Sequence, residues 1–569
     1  MIQKNWAIKQ FDKAEVVRLA KETGISPHIA IILYNRGIQD AESIKKFLAC
    51  DLSDLHDPYL LMDMDKAVER INRAKENGEK ITIYGDYDVD GITSIAILYK
   101  QLQRMGIEVG YYVPDRNTEG YGVNREALDN IKADGTTILI TVDTGITAVE
   151  ETVYARSIGM DIIITDHHEC KETIPDAFAA IDPKRKECKY PFKHLAGVGV
   201  TFKLIQALEP ETPVAELMDR YADLLCLGTV ADISPLVDEN RIMVKVGLDK
   251  IANTENVGLK ALLDVAITNG KPVSTSTIGY VIAPRINASG RLGCASRSVD
   301  MFLTDDKNKA VELAEELCRE NIIRQQTEQQ MFKEALEYLE AHPEIKEDEV
   351  IVIPHENWHH GIVGIVSSKI TEKFYKPSIL FAVDGEVAKG SGRSINGYSL
   401  FEALEYSSDL LDKFGGHELA AGLTMQTANI EEFRKKINSY KAETEAEEEK
   451  VPTINIDAFI KPAFISIETV EDINSLNPYG VDNPPPVFAV RNIKIHKIST
   501  MSEGRHLRMT LLKDGKYFDT VGFGMGDYFE YLKEGDMTDV AFGMDINDYK
   551  GFRNVQLILK DIRMAQNQE

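Results

Sequence analysis

The chain has 569 residues, 43% of them hydrophobic and 27% charged, with a formal net charge of −26 at pH 7. That length is too great for one core and predicts three or four domains at roughly 150 residues each, while no apolar run approaches the ~18 residues that a membrane span needs. The opening "MIQKNWAIKQ" has no apolar signal core, and six scattered cysteines form no C-x-x-C pair, so a cytoplasmic protein with reduced thiols is expected, not a disulfide scaffold or a structural zinc site.

Residues 1–80 read as a helical prelude. From 81 to about 182, short runs rich in Ile, Val and Thr ("ITIYG", "EVGYYV", "TILITVD", "DIIITD") alternate with helical patterns such as "SIAILYKQLQRMG", the signature of a parallel sheet wrapped by helices. Residues 307–341 form one long helical pattern with apolar spacing at its ends and an almost wholly polar middle, "RQQTEQQ". It predicts a connector of ~50 Å between two lobes at ~1.5 Å per residue, because a polar middle cannot be packed on both sides. A second α/β pattern runs from "EVIVI" at 349 to about 427, and "AETEAEEEK" at 442–450 reads as an acidic linker. Beyond it lie short alternating strands ("VFAVRNIKI", "HLRMTLL", "FDTVGFG", "TDVAFGMD", "NVQLILKD"), which predict a small β-barrel of the OB type over 451–569.

The chemistry concentrates where strands end. "YGDYDVDG" sets Asp86, Asp88 and Asp90 at alternate positions after an apolar strand; three like charges so close require something positive among them. A calcium loop is excluded, because the twelfth residue counted from Asp86 is Ile97 instead of Glu and the lead-in is a strand instead of a helix. "TVDTG" adds Asp143, "TDHHE" adds Asp166, His167 and His168, and "GTVADISPL" places Asp232 in an apolar segment. There a lone carboxylate would be costly unless paired or bound to a metal. Aspartate with histidine and no cysteine suits two Mn²⁺ or Mg²⁺ ions rather than zinc. For binding a polyanion, an acidic chain needs a local basic lining. "PDRNTEGYG" offers Arg116, "PRINASGRLGCASR" offers Arg285, Asn287, Arg291 and Arg297 with no acid in the segment, "GSGRS" offers Ser391 and Arg393, "NWHHG" offers His359, and "FGGHE" offers His417.

In order along the chain, "DYDVDG", "VDTG", "DHH" and "GTVADISPL" resemble the DHH phosphoesterase superfamily. "YYVPDRNTEGYGVN", "GVGVTFKL", "APRINASGRLG", "NWHHGIVGIVSSKI", "KGSGRS", "GGHELAAGLTM" and "NPYGVDNPPPVF" narrow the resemblance to its RecJ family of single-stranded-DNA exonucleases, over residues 80 to 490. The resemblance implies a parallel-sheet DHH catalytic lobe at 81–305, a connecting helix at 306–342, a smaller α/β DHH-associated lobe at 343–440 and the OB-type barrel at 451–569. It implies that Asp90, Asp143, His167 and Asp232 hold one metal, and that Asp88 and the bridging Asp143 hold the other with help from Asp86. His168 would face the scissile phosphate, Asp166 would orient a histidine from behind, and Arg116, Ser391 and Arg393 would take a terminal 5′ phosphate. It further implies two-metal hydrolysis of single-stranded DNA from the 5′ end in repair and recombination. No small-molecule organic cofactor is implied, and the expected partners are a single-strand-binding protein and a RecQ-type helicase. Two rivals stand beside this reading: a DHH-type phosphodiesterase of short oligonucleotides or cyclic dinucleotides, and a non-catalytic replication scaffold, which the presence of every motif aspartate and histidine disfavours.

Overall fold

The computed structural model describes residues 4–116, 119–120, 122–267, 270, 272–440, 451–549 and 551–565. The expected linker at 442–450 lies outside them. After a short strand β1 (Asn5–Ile8) come helices Lys13–Thr23, Pro27–Asn35, Ala41–Ala49 and Met64–Asn77. Strands β2 (Ile81–Gly85), β3 (Val109–Tyr112), β4 (Ile138–Val142), β5 (Asp161–Thr165) and β6 (Ala179–Ile181) then form an all-parallel sheet in the order β3-β2-β4-β5-β6. Its strands are apolar on both sides because helices cover both faces. Ile138, Ile140 and Val142 of β4 pack into one core with helices Val89–Arg104, Gly197–Leu208 and Val214–Ala231. Leu139 joins the opposite core with Ala127, Leu128 and Ala155. The strand order reverses between β2 and β4, which opens a crevice at their carboxyl ends.

The opposite rim of this sheet is stitched together. Arg70, buried in the helix before β2, donates to Glu79 at 2.7 Å and to Asp161 at 2.7 Å, and Thr137 Oγ1 donates to Glu79 at 2.9 Å. The Arg70 hydrogen bond outweighs burial and pushes the Glu79 carboxyl from an ordinary 4.5 down to about 2. A depressed carboxylate adds stability that is complete above its unfolded value and is lost as pH falls through the folded one. Glu79→Gln should therefore lower stability at neutral pH and flatten the acid-unfolding curve between about pH 4.5 and about 2, as followed by circular dichroism. An unchanged curve would remove Glu79 from the acid response.

The helix Lys307–Ala341 leads to the second lobe. Its polar middle is packed on one side only, with Gln325, Gln326, Gln329 and Gln330 exposed: Asn321 and Glu328 are buried, Arg324 donates to Asn321 at 3.1 Å and to Glu328 at 2.7 Å, and Lys369 of the helix His360–Phe374 also pairs with Glu328. Polar side chains that satisfy one another can be buried where isolated ones cannot. The second sheet, β7 (Ile351–His355), β8 (Ser378–Asp384), β9 (Val387–Arg393), β10 (Lys413–Gly416) and β11 (Ala420–Gln426), has the order β10-β11-β9-β8-β7. Only β7 and β8 run parallel.

Strands β12 (Thr453–Ile456), β13 (Ala458–Phe459), β14 (Phe488–Met501), β15 (His506–Lys513), β16 (Lys516–Gly522), β17 (Met537–Tyr549) and β18 (Phe552–Met564) complete the chain. Five of them close a barrel, β14-β15-β16-β18-β17, in which β17 pairs back with β14. The N-terminal residues belong with this barrel: β1 pairs in parallel with β12, and Leu19, Ile29, Ile32, Leu33 and Ile44 enter its core. Among the described residues no helix is long and apolar enough to cross a membrane.

Candidate metal centre and phosphate groove

Four neighbouring strands each end in an aspartate: Asp86 follows β2, Asp143 β4, Asp166 β5 and Asp182 β6, and all four are buried. The parallel ladder runs one residue past the strands, with the Asp143 amide donating to Thr165 at 3.0 Å and the Asp166 amide to Ile181 at 3.0 Å. The carboxylates are thereby gathered on one rim.

Asp88 and Asp90 come from the start of helix Val89–Arg104. Asp88 is its N-cap, accepting from the amides of Asp90 at 3.0 Å and Gly91 at 3.2 Å. The turn is so tight that a Cβ on Gly91 would lie 2.5 Å from the Asp86 carbonyl oxygen. Asp90 reaches the N-terminus of helix Gly197–Leu208, accepting from Gly197 at 2.7 Å and Val198 at 2.8 Å, where the helix dipole favours a carboxylate. A Cβ on Gly197 would lie 2.7 Å from Asp143 Oδ1. Asp143 itself has φ of 58°, and Ile233, next to Asp232, has φ of 63°. Left-handed backbone at non-glycine residues gathers at functional sites.

His167 Nε2 lies 3.0 Å from Asp143 Oδ1 and 3.8 Å from Asp90, and its Nδ1 lies 3.9 Å from Asp232. Asp232 closes helix Val214–Ala231 and accepts from Ser234 Oγ at 2.5 Å. Three sets of donor atoms are close enough to share a cation: Asp90, His167 and Asp232; Asp86, Asp88 and Asp143; and Asp143, His167 and His168. Asp143 belongs to two of them.

The residues fit divalent ions. Asp86 Oδ1, Asp143 Oδ1 and His167 Nε2 are buried without a hydrogen-bond partner; the last two face one another at 3.0 Å without bonding. Burial, reinforced by neighbouring carboxylates, holds Asp86, Asp90 and Asp143 well above the usual carboxylate range, and burial lowers His167. Cations among these atoms would partner the orphans and offset the repulsion, and an oxygen-rich set with imidazole and no thiolate suits Mn²⁺ or Mg²⁺.

Asp166 accepts from His168 Nδ1 at 2.7 Å and from the amides of His167 at 2.7 Å and Ile146 at 2.9 Å. Burial would depress His168, but the hydrogen bond and charge of Asp166 carry it up to about 9. Asp182 is absent from the sequence expectations. One oxygen accepts from the Lys184 amide at 2.7 Å and the other is buried without a partner, while burial and then the charge of Asp166 push the carboxyl up to about 7. The signal is "AAI" followed by aspartate, a strand of three residues, too short to register as an apolar run.

His168 also lines an open groove of about 860 Å³ that runs to the second lobe. The Arg116 guanidinium lies 5.1 Å over the Tyr87 ring. Arg393 Nη1 donates to Ser391 Oγ at 3.2 Å, and a Cβ on Gly364 would lie 2.9 Å from that oxygen. Arg291 donates to the Gly361 carbonyl at 2.8 Å; burial, then Arg116, Arg324 and Arg393, depress its guanidinium to about 10. Cations pressed together with no carboxylate in the groove lining are relieved by an anion. His417 lines the groove, while His359 caps helix His360–Phe374 by accepting from the Gly361 amide at 3.1 Å. Two expected residues lie elsewhere. Asn287 accepts from the Val89 amide at 3.2 Å and so buttresses the helix that carries Asp90, and Arg285 donates to Val281 of the preceding turn. Arg297, expected to have no acid nearby, pairs with Glu316 at 2.9 Å and Glu320 at 2.6 Å of the long helix. The acids missing from its own segment come from another.

A parallel sheet with acidic and imidazole groups at its carboxyl rim, opposite a smaller α/β lobe, defines a DHH-type phosphoesterase: residues 80–229 match the DHH family N-terminal domain and residues 347–443 the DHHA1 domain. Residues 456–561 match the RecJ OB domain. The chain is 38% identical over 564 residues to the single-stranded-DNA-specific exonuclease RecJ of Bacillus subtilis, covering 99% of this chain and 71% of that protein. It is 33% identical over 578 residues to the Escherichia coli protein of the same name, covering 97% of this chain and 99% of that one. The crystal structure of Thermus thermophilus RecJ in complex with Mn²⁺ superposes with a TM-score of 0.85 at 29% identity, over 99% of this chain and 80% of that one. The chain belongs to the RecJ family.

Proposed function

We propose that this chain is a metal-dependent exonuclease that degrades single-stranded DNA from the 5′ end and releases 5′-mononucleotides. One observation carries the reading: His168 belongs both to the acidic cluster and to the arginine-lined groove, so a strand gripped by its terminal phosphate presents its next phosphodiester to the cluster. Asp90, His167 and Asp232 would hold one cation and Asp86, Asp88 and Asp143 the other. When bound, the ions supply Lewis acidity, which offsets charge on the phosphodiester and acidifies attacking water. Asp166 engages His168 Nδ1 at 2.7 Å, so Nε2 is the nitrogen left to face a phosphate oxygen. Arg116, Ser391 and Arg393 grip the 5′ phosphate through charge-assisted bonds. Arg291 adds positive charge, and the barrel offers further single-strand surface.

The same reading places the protein in the cytoplasm, in DNA repair and recombination. There a single-strand-binding protein and a RecQ-type helicase would present or supply its strands; family resemblance supports these partners.

Arg393→Ala should lower kcat/KM on a 5′-phosphorylated strand roughly 30-fold, about 2 kcal/mol for one charged hydrogen-bonding group, and leave a 5′-hydroxyl strand nearly unaffected. Equal losses on both ends would remove the 5′-phosphate pocket and with it the basis for polarity.

A further inference from the structure

The groove is larger than one phosphate requires. Its volume of about 860 Å³ lies in the range of whole-ligand pockets. Arg116, Lys171, Arg291, Lys389, Arg393 and Lys413 line it, with no Asp or Glu, in a chain of net charge −26. The sequence "KGSGR" of β9 explains its outer wall. Along a strand alternate residues share a face, so Lys389, Ser391 and Arg393 line up at about 6.7 Å intervals. Gly390 and Gly392 turn to the other side, where a Cβ would lie 2.6 Å from Phe381 and 2.7 Å from Leu400.

The register extends this face across the sheet. Thr424 of β11 stands opposite Lys389, and Lys413 of β10 opposite Thr424; one row along, Gly422 stands opposite Ser391 and Gly415 opposite Gly422. An added Cβ on Gly415 or Gly422 would meet nothing within 4 Å. The result is a bare floor that begins at the Ser391–Arg393 pair and ends between two lysines. Lys389 and Lys413 are exposed and have no ion pair among the described residues.

We propose that this part of the groove receives the outer phosphates of a 5′-triphosphorylated strand, with Lys389 and Lys413 as their partners. The inference rests on the reading of Arg116, Ser391 and Arg393 as the pocket for the first 5′ phosphate. The chemistry is the same hydrolysis. A bond forms between water oxygen and the phosphorus joining the first two nucleotides, the bond from that phosphorus to the 3′ oxygen of the first nucleotide breaks, and a proton ends on that oxygen. The first product is then a nucleoside 5′-triphosphate, and the shortened strand keeps a 5′ monophosphate.

Two measurements test this on the full chain. With chelator present, a dye-labelled short single strand should bind about tenfold tighter with a 5′ triphosphate than with a 5′ monophosphate. That ratio should fall to about one in Lys389→Ala/Lys413→Ala and survive in Lys389→Arg/Lys413→Arg. With Mn²⁺ present, chromatography should show nucleoside triphosphate as the first product from the triphosphorylated strand, while the alanine double variant still hydrolyses the monophosphorylated strand at the wild-type rate. Equal binding of the two ends by wild type, or a ratio that persists in the alanine variant, overturns the proposal. So does release of dinucleotides, which would show that an upstream base occupies the glycine floor. If wild type fails on the monophosphorylated strand, the exonuclease reading itself falls.

Discussion

Asp143→Asn should reduce turnover on a 5′-phosphorylated single strand by about a thousandfold or more, the scale on which loss of a charge-stabilising group at a transition state is felt. Asparagine is the informative replacement because it keeps the shape of aspartate and tolerates the left-handed backbone at φ of 58°. Alanine would add strain there and confuse the outcome. The substitution removes one charge from a buried cluster in which Asp90, Asp88, Asp86 and Asp232 already oppose ionisation of Asp143. Without metal, therefore, the variant should unfold at the wild-type temperature or higher. Wild type should gain stability as Mn²⁺ is added, about 2.7 kcal/mol at a hundredfold excess over Kd, and the variant should gain little. The two readouts separate a ligand from a structural carboxylate. A variant that melts early without metal and still responds fully to Mn²⁺ would show that Asp143 holds the fold and not the ions.

The parts of this molecule legible in its sequence are those where local pattern and function coincide. The runs "ITIYG" and "TILITV" announce buried parallel strands because every residue in them is apolar or small, and the aspartate after each marks the rim. The parts that were not legible depend on distant partners. "NWAI" gives no hint that it pairs with "TINI" about 450 residues away, and so residues near the N-terminus read only as helical. "RQQTEQQ" looks solvated throughout, and its glutamines are, but Glu328 within it is buried where Lys369 arrives to share it. Arg297 looks like part of a basic patch until Glu316 and Glu320 neutralise it. Asp90 was legible as an acid of the cluster, but its clamp on the Gly197 and Val198 amides was not. The first glycine of "GVGV", Gly197, is explained only once Asp143 is seen against it.

The largest stability effect is expected at Arg241, which the sequence offers no reason to single out. It is 1% exposed, on the helix Asp238–Ile251, yet it pairs with no carboxylate. Its guanidinium donates to the carbonyls of Phe47 at 3.0 Å, Leu476 at 3.0 Å, Asn477 at 2.9 Å and Pro478 at 3.2 Å, and lies 3.8 Å over the Phe47 ring. One side chain thus joins the catalytic lobe, an N-terminal helix and the loop that leads into the barrel. Burial depresses its pKa, and with no carboxylate partner the carbonyl dipoles and the ring do most to hold a buried cation. Asn483 also donates to Leu476 at 2.9 Å and to Pro478 at 2.6 Å, and the Cys50 thiol donates to Phe47 at 3.3 Å, so Arg241→Met strands chiefly the Asn477 carbonyl and leaves Phe47 only a weak thiol donor. Losing charged hydrogen bonds at roughly 1.5–3 kcal/mol each, and leaving a carbonyl without its donor, should cost about 3–5 kcal/mol. The cost falls on the joint between the lobes. Calorimetry should show the barrel and its N-terminal helices melting ahead of the catalytic lobe, in two transitions where wild type shows one. Arg241→Lys should behave almost as badly, since an ammonium cannot fork across two segments as a planar guanidinium does. Below the first transition the Met variant should still cleave short strands while losing its advantage on long ones, because the metal residues sit at strand ends and on other helices of the catalytic lobe and only the barrel is set loose. A single transition at the wild-type temperature, with long and short strands cleaved in the wild-type ratio, would show that the lobes are held together elsewhere.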